Sequence, residues 1–309
     1  MYMDYYKSIK ELLINNELIK KAKDYSKNRS DLTTYYNVGK LLSEAGKHYG
    51  EGIVNEYSKK LVFEVGKKFS ARTLRRMRQF YVLFSEQKWP LSAAKLSISH
   101  YDELLRFKDI DKIKYYIYIC EKLKISRDEL RKRIKNNEYE RLDVNARNKI
   151  VNNKPIELID TLKDPILIKN MYDKIEISER MLQKLILENI EDFLLELGEG
   201  YAFIKSEYKI KIGNHFNYID ILLFNYIYNC FVVLELKVIE LKKEHIGQIE
   251  VYMNYIDKHV KSDNQNRTIG IIIVKENDTV GIIICKQDNE YVIKYCSDDR
   301  IIAREYELV

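Results

Sequence analysis

The chain has 309 residues and a mass of 37.0 kDa, with 46% apolar residues, 11 glycines and 3 prolines. That is enough apolar surface for two ordinary domains or one large one, and it excludes wholesale disorder and collagen-like or linker-dominated chains. The net charge of +6 conceals a division: residues 1–150 hold 33 Lys and Arg against 20 Asp and Glu, whereas residues 151–309 hold 20 against 27. A basic half beside an acidic half suits a polyanion-binding module joined to a metal-binding one, and equally suits two unrelated helical surfaces.

No apolar run approaches the roughly 18 to 20 residues of a membrane span, so no membrane partner is expected. Met1-Tyr2-Met3-Asp4-Tyr5 lacks the basic-then-apolar layout of a signal peptide. Cys120, Cys230, Cys285 and Cys296 form no CxxC and do not cluster with histidines at zinc spacing, which predicts reduced thiols in a cytoplasm.

Residues 1–145 read as helices throughout, with apolar positions near a 3.6 period. One helix holds Ile53, Val54, Tyr57, Leu61 and Val62 and stops at Gly66. Ser70 then caps a second, whose apolar face is Leu74, Met77, Tyr81 and Phe84, and Pro90 breaks the pattern. Ser126-Arg127-Asp128-Glu129 is a capping box. Residues 146–165 turn polar and asparagine-rich and hold Pro155 and Pro165, so they are expected to link the helical residues 1–145 to a second domain, 166–309. There the pattern is a helix over Ser178–Leu197 ending at Gly198 and Gly200. Short β-like runs follow at Tyr201–Ile212, Phe216–Phe224, Phe231–Val238, Thr268–Lys275 and Val280–Lys286, with a helix over Lys243–Lys258 between the third and fourth. The expected class is α+β, an all-helical half followed by an α/β half with a mixed sheet.

The chemistry-bearing stretch is Tyr218-Ile219-Asp220-Ile221-Leu222-Leu223-Phe224 followed by Phe231-Val232-Val233-Leu234-Glu235-Leu236-Lys237. Alternation along a strand puts Glu235 and Lys237 on one face, and a hairpin folded near Ile227 and Tyr228 sets Asp220 opposite Glu235. A slip of one residue would spoil that pairing. Two carboxylates in an apolar sheet repel unless compensated, and a divalent cation with oxygen ligands, Mg²⁺ or Mn²⁺, compensates them. The same residues also suit a salt-bridged strand edge with no metal.

Asp followed by Glu-Leu-Lys on a hairpin after a helix resembles the PD-(D/E)XK nuclease superfamily. Phe193-Leu194-Leu195-Glu196-Leu197-Gly198-Glu199-Gly200-Tyr201-Ala202-Phe203, the two strands above and Gly247-Gln248 are similar to its YhcG-type branch. So are, in the N-terminal half, Tyr49-Gly50, Phe69-Ser70, Leu74-Arg75-Arg76-Met77-Arg78-Gln79-Phe80-Tyr81, Leu96-Ser97 and Ser99-His100-Tyr101. The proline of the superfamily signature is replaced by Ile219. The resemblance implies a restriction-endonuclease-like fold and a Mg²⁺- or Mn²⁺-dependent nuclease of DNA. Asp220, Glu235 and Lys237 match the catalytic positions, and Asp220, Glu235 and the Leu236 backbone carbonyl would hold metal. It also implies a helper glutamate on the preceding helix, Glu188 in preference to Glu196, and a polar role for Gln248, which as a residue could equally be an exposed helix glutamine. His215 and His245 flank the region as ordinary histidines.

Lys67, Lys68, Arg72, Arg75, Arg76 and Arg78 stand without an acid between Val65 and Ser85. Arg72, Arg75, Arg76 and Gln79 share a helical face, and helix, turn and Ser-capped helix resemble a helix-turn-helix, whose second helix contacts phosphates or guanine edges. Lys67, Lys68, Arg72, Arg75, Arg76 and Gln79 are therefore the expected nucleic-acid contacts, with a solvated bundle face as the plain alternative. A second basic run, Arg127, Arg131, Lys132, Arg133 and Lys135, could add phosphate contacts. The competing function is a catalytically silent nucleic-acid-binding or scaffold protein, self-associated or bound to partners in a defence or repair complex. RNA is not excluded as substrate.

Overall fold

A computed structural model describes residues 4–21, 27–87, 95–172, 177–275 and 300–309. The chain divides into two compact units, Met1–Asn136 and Asn137–Val309.

The first unit holds helices α1 (Tyr5–Lys21), α2 (Lys27–Tyr49), α3 (Ile53–Glu64), α4 (Ala71–Glu86), α5 (Ile98–Leu104), α6 (Ile110–Leu123) and α7 (Arg127–Lys135). Helices α1 to α4 enclose Ile9, Leu13, Val38, Leu42, Val54, Leu61, Leu74 and Met77. A Cβ on Gly39 of α2 would stand 2.1 Å from the Met77 carbonyl oxygen, so only glycine lets α2 and α4 approach this closely. Helix α3 ends as its sequence predicts: Gly66 takes φ +153° and its N–H donates to the Leu61 carbonyl at 3.0 Å. Ser70 caps α4 by accepting from the Thr73 N–H at 3.4 Å, and Ser126 caps α7 by accepting from the Glu129 N–H at 3.2 Å. The Glu129 carboxylate does not complete a box but accepts from Arg133 Nε at 3.0 Å. Pro90 lies outside the described residues.

The second unit begins with α8 (Glu138–Arg141) and α9 (Val144–Val151) and a 3₁₀ turn at Leu158–Thr161. Residues 146–165, expected as a linker, thus carry ordered structure: Leu158 and Leu162 sit in the main apolar core, and Lys149 Nζ donates to Asp160 Oδ2 at 2.8 Å. Composition misleads because the asparagines stay on the surface while two spaced leucines bury.

Next come β1 (Ile166–Ile168), α10 (Glu179–Glu188), α11 (Ile190–Leu197), β2 (Tyr201–Ile212), β3 (His215–Asn225), β4 (Cys230–Leu236), α12 (Lys243–His259), β5 (Ile269–Lys275) and β6 (Ile301–Leu308). The single helix expected over Ser178–Leu197 is two. Asn189 interrupts it, its side chain donating to the Leu185 carbonyl at 3.3 Å in competition with the backbone ladder. The sheet has six strands in the order β1-β6-β5-β4-β3-β2. The β2–β3–β4 part is antiparallel, while β4–β5, β5–β6 and β6–β1 are parallel. The run Val280–Lys286 lies outside the described residues.

Both faces of the sheet are covered. Leu182, Leu185 and Ile186 of α10 and Phe193 and Leu197 of α11 pack against Val232, Leu234 and Leu236 of β4. On the other side Ile246, Ile249, Met253 and Ile256 of α12 pack against Val233 and Ile272. Strand alternation therefore assigns Glu235, between Leu234 and Leu236, to the α12 side.

Candidate active site

Strands β3 and β4 pair Ile221 with Leu234, Leu222 with Val233 and Asn225 with Cys230, the register in which Asp220 comes opposite Glu235. The ladder stops there. The Leu236 N–H donates to the Asp220 carboxylate Oδ2 at 2.8 Å, and the Asp220 carbonyl accepts from Gln183 Nε2 of α10 at 2.9 Å. Asp220 is thereby held by both its side chain and its backbone at the point where β3 parts from β4.

Glu235 is 2% exposed and Lys237 8%. Glu235 Oε1 accepts from Lys237 Nζ at 3.0 Å and from Gln248 Nε2 at 2.8 Å, and the same Gln248 amide lies 3.0 Å from Tyr252 Oη. Glu235 Oε2 is buried with no hydrogen-bond donor. Lys237 Nζ also stands 3.6 Å from Glu179 Oε2, in the first turn of α10. Three carboxylates thus surround one ammonium.

The electrostatics follow from that count. Burial, then the Asp220 charge, push Glu235 up to about 7 against the pull of Lys237. Burial also raises Asp220, opposed by the Leu236 N–H and by Lys237. Lys237 is lowered by burial, but the attraction and hydrogen bond of Glu235, then Glu179 and Asp220, outweigh this and hold it above its ordinary value. His245 is held down, first by burial and then by Lys237, and its Nδ1 accepts from the Lys242 N–H at 3.1 Å at the start of α12. It serves as a helix cap.

The site has fewer positive charges than carboxylates, and it carries an oxygen with no donor. Both features fit a hard divalent cation bound through oxygen. Among the described residues no group of three or more His, Cys, Asp or Glu side chains is placed to hold one, so two carboxylates would need a backbone carbonyl such as that of Leu236 to complete the protein ligands.

Of the expected site residues, Asp220, Glu235, Lys237 and Gln248 come together. Glu188 does not join them. Both of its oxygens accept from Tyr172 Oη at 2.9 Å, and Lys184 Nζ lies 3.6 Å away. Glu196 is also elsewhere, paired with Arg141 and accepting from the Leu167 N–H at 3.1 Å. The α10 glutamate that approaches the cluster is Glu179, at the opposite end of the same helix, through Lys237. The signal was Ser178, an N-cap followed at once by an acid: the first turn of α10, not the last, points at the hairpin end. Gln183 was missed too; it lies one turn further along α10 from Glu179.

On α4 the expected contact residues are partly engaged already. Arg76 donates to Asp102 at 2.8 Å and Arg75 to Asn55 at 2.7 Å, while Lys68 pairs with Glu17. Arg78 meets Glu51 at 2.5 Å. Lys67, Arg72 and Gln79 remain exposed. In the second basic run, Arg131 pairs with Glu103 at 2.6 Å and Arg133 with Glu129. The Ser97–His100 motif is a structural clasp, with Ser97 Oγ 2.7 Å from His100 Nδ1 and His100 Nε2 3.1 Å from the Ile125 carbonyl.

Comparison with known proteins gives matches in both halves of the chain. Residues 159–279 match the family described as YhcG PDDEXK nuclease domain, and residues 14–141 match the DUF1016 N-terminal domain. The chain is 26% identical over 285 residues to the protein named "Putative nuclease YhcG" of Escherichia coli (strain K12), across 79% of this chain and 76% of that one. The two matched regions cover about four-fifths of the sequence. The chain belongs to the family in which a DUF1016 N-terminal domain precedes a YhcG PDDEXK nuclease domain.

Proposed function

We propose that the protein is a metal-dependent nuclease that hydrolyses phosphodiester bonds of DNA. The observation that carries this is the buried, donorless Glu235 Oε2 beside Asp220. A Mg²⁺ or Mn²⁺ ion held by Asp220, Glu235 and the Leu236 carbonyl would polarise a phosphoryl oxygen and make a water acidic enough to attack. Lys237, steered by Glu235 on one side and Glu179 on the other, holds its proton at Nζ and orients the attacking water. Gln248 donates to Glu235 Oε1 and leaves Oε2 for the ligand role. Gln183 fixes the Asp220 backbone, so the carboxylate cannot swing out of the site.

The helical half supplies nucleic-acid affinity in this reading, through Lys67, Arg72 and Gln79 on the open side of α3–α4 and with Arg75 released from Asn55. The buried, reduced Cys120 and Cys230 suit a reducing cytoplasm. Among the described residues, no helix is long and apolar enough to cross a membrane.

The test is cleavage of plasmid, single-stranded DNA and RNA with Mg²⁺, Mn²⁺ or chelator. Metal-dependent cutting of DNA that is lost in Asp220→Asn supports the proposal. A folded protein that cuts none of the three with either ion overturns it in favour of the scaffold function.

A further inference from the structure

Strands β2 and β3 continue past the end of β4. The β3–β4 pairing runs only from Asn225 to Ile221, while β2 accompanies β3 as far as Ile212 opposite His215. Beyond Asp220 they form a two-stranded ribbon closed by Gly213, which takes φ +58°. Lys209 lies opposite Tyr218 and Lys211 opposite Phe216, so these four share one face, and all are exposed. The other face, Tyr208, Ile210, Ile212 and Ile219, joins the core beneath α12. The ribbon is thus anchored on one side and bare on the other.

The bare side has two lysines and two rings, and the nearest acid on β2, Glu207, stands two residues before Lys209 at the Asp220 end. Lys209 Nζ sits 3.8 Å from the Phe216 ring centroid, and Lys211 makes no ion pair among the described residues. Lysines alone would be the usual guard of an edge strand against pairing with another chain. Phe216 at 55% exposure and Tyr218 at 51% undo that guard, so edge protection does not account for the face. A partner bearing anionic groups and flat rings accounts for both halves of it. Position selects which one: Tyr218 is two residues from Asp220, about 7 Å along the strand, and Phe216 about 13 Å. The second half of the chain is otherwise acidic, which makes this cationic strip next to the carboxylates stand out.

We propose that the ribbon face holds an unpaired nucleic-acid strand beside the scissile phosphate, with Lys209 and Lys211 on phosphates and Phe216 and Tyr218 stacked on bases. The proposal rests on the nuclease reading and deepens it: continuous duplex hides base faces, so the substrate presents a single-stranded segment here.

The experiment uses the full chain in chelator and measures affinity for a labelled single-stranded oligonucleotide and a blunt duplex across salt. Phe216→Ala and Tyr218→Ala should each weaken single-strand binding about fivefold or more, with a smaller effect on duplex, and Phe216→Trp should restore it. Lys209→Ala with Lys211→Ala should lower the single-strand salt slope by about 1.4, at roughly 0.7 per phosphate contact. Lys258→Ala, an exposed lysine on α12, controls for net charge. All four ribbon residues are exposed, so melting temperatures should stay within a degree or two of the parent. Ribbon variants that bind the single strand no worse than Lys258→Ala overturn the proposal, as does a loss of equal size on duplex. Cleavage with Mg²⁺ is scored separately. A parent that cuts nothing while the ribbon variants lose binding removes the catalytic reading alone; a parent that cuts, with ribbon variants binding as it does, removes the ribbon alone.

Discussion

The arginine face of α4 and the carboxylate cluster at the β3–β4 hairpin end are both concentrations of like charge, and the fold treats them in opposite ways. On α4 the tertiary structure brings a counter-group to Arg75, Arg76 and Arg78, drawn from α3 and α5 and from Glu51 just before α3. At the hairpin, Asp220, Glu235 and Glu179 converge on the single ammonium of Lys237, and burial first, then like charge, raises the pKa of Asp220 and Glu235. A like-charge cluster that the fold neutralises is largely part of the scaffold. One that it buries and leaves in excess would be balanced by a counter-ion from outside.

The largest expected effect breaks the hairpin cluster itself. Asp220→Asn and Glu235→Gln should each abolish cleavage, while far-ultraviolet dichroism stays unchanged. Asp220→Asn keeps an acceptor for the Leu236 N–H and removes a repelling charge, so its metal-free melting temperature should equal or exceed the parent's. Excess Mg²⁺ should raise the parent's melting temperature and not the variant's. Cleavage by Asp220→Asn at the parent's rate would sink the site assignment.

Lys237→Met comes next. Turnover should fall by roughly 10²- to 10⁴-fold, the range for a positioned acid–base group, with metal affinity little changed because the ammonium acts on water. Metal binding that collapses in step with turnover would show that Lys237 holds the ligands rather than the water. The two glutamates of α10 sharpen the same point: Glu179→Gln should lower turnover about tenfold through Lys237, and Glu188→Gln should leave it alone. The reverse result would restore the helper position to Glu188.

The raised pKa of Glu235 makes a sign-specific prediction. Its proton is held to about pH 7 in the metal-free folded state but only to the ordinary carboxylate range when unfolded. The folded state therefore binds more protons in that window, and metal-free stability should decline as pH rises from about 4.5 to 7 and level off above it. Glu235→Gln should flatten that decline. Apparent Mg²⁺ affinity should rise with pH over the same interval, because the ion competes with that proton.

The smallest effects test the other cluster. Arg72→Ala should lower the duplex salt slope by about 0.9 with no change in melting temperature. Arg76→Ala should instead destabilise the helical unit by about 1–3 kcal/mol, because it strands the half-buried Asp102 carboxylate. Equal binding losses without any stability loss would mean that Arg76 is free for phosphate after all.

Local chemistry determined much of this. Turn residues and alternation were enough to place β2, β3, β4, α12 and β5 within a few residues, because each is a strongly patterned run with clear breakers, and the hairpin length pointed to Asp220 opposite Glu235 in the register that β3 and β4 adopt. The Ser70 cap and the Gly66 stop were equally local, each a matter of one side chain or one φ angle. Three residues of β1 and the separated strand β6 carried too little pattern to be seen, since their pairing is parallel and comes from distant chain segments. The same limit applied to the site's support. Which glutamate of α10 faces Lys237, that Gln183 grips the Asp220 carbonyl and that Arg76 belongs to Asp102 all depend on how a helix is rotated and tilted against its neighbour. A period of 3.6 defines the buried stripe, but only packing decides which end of that stripe meets the chemistry.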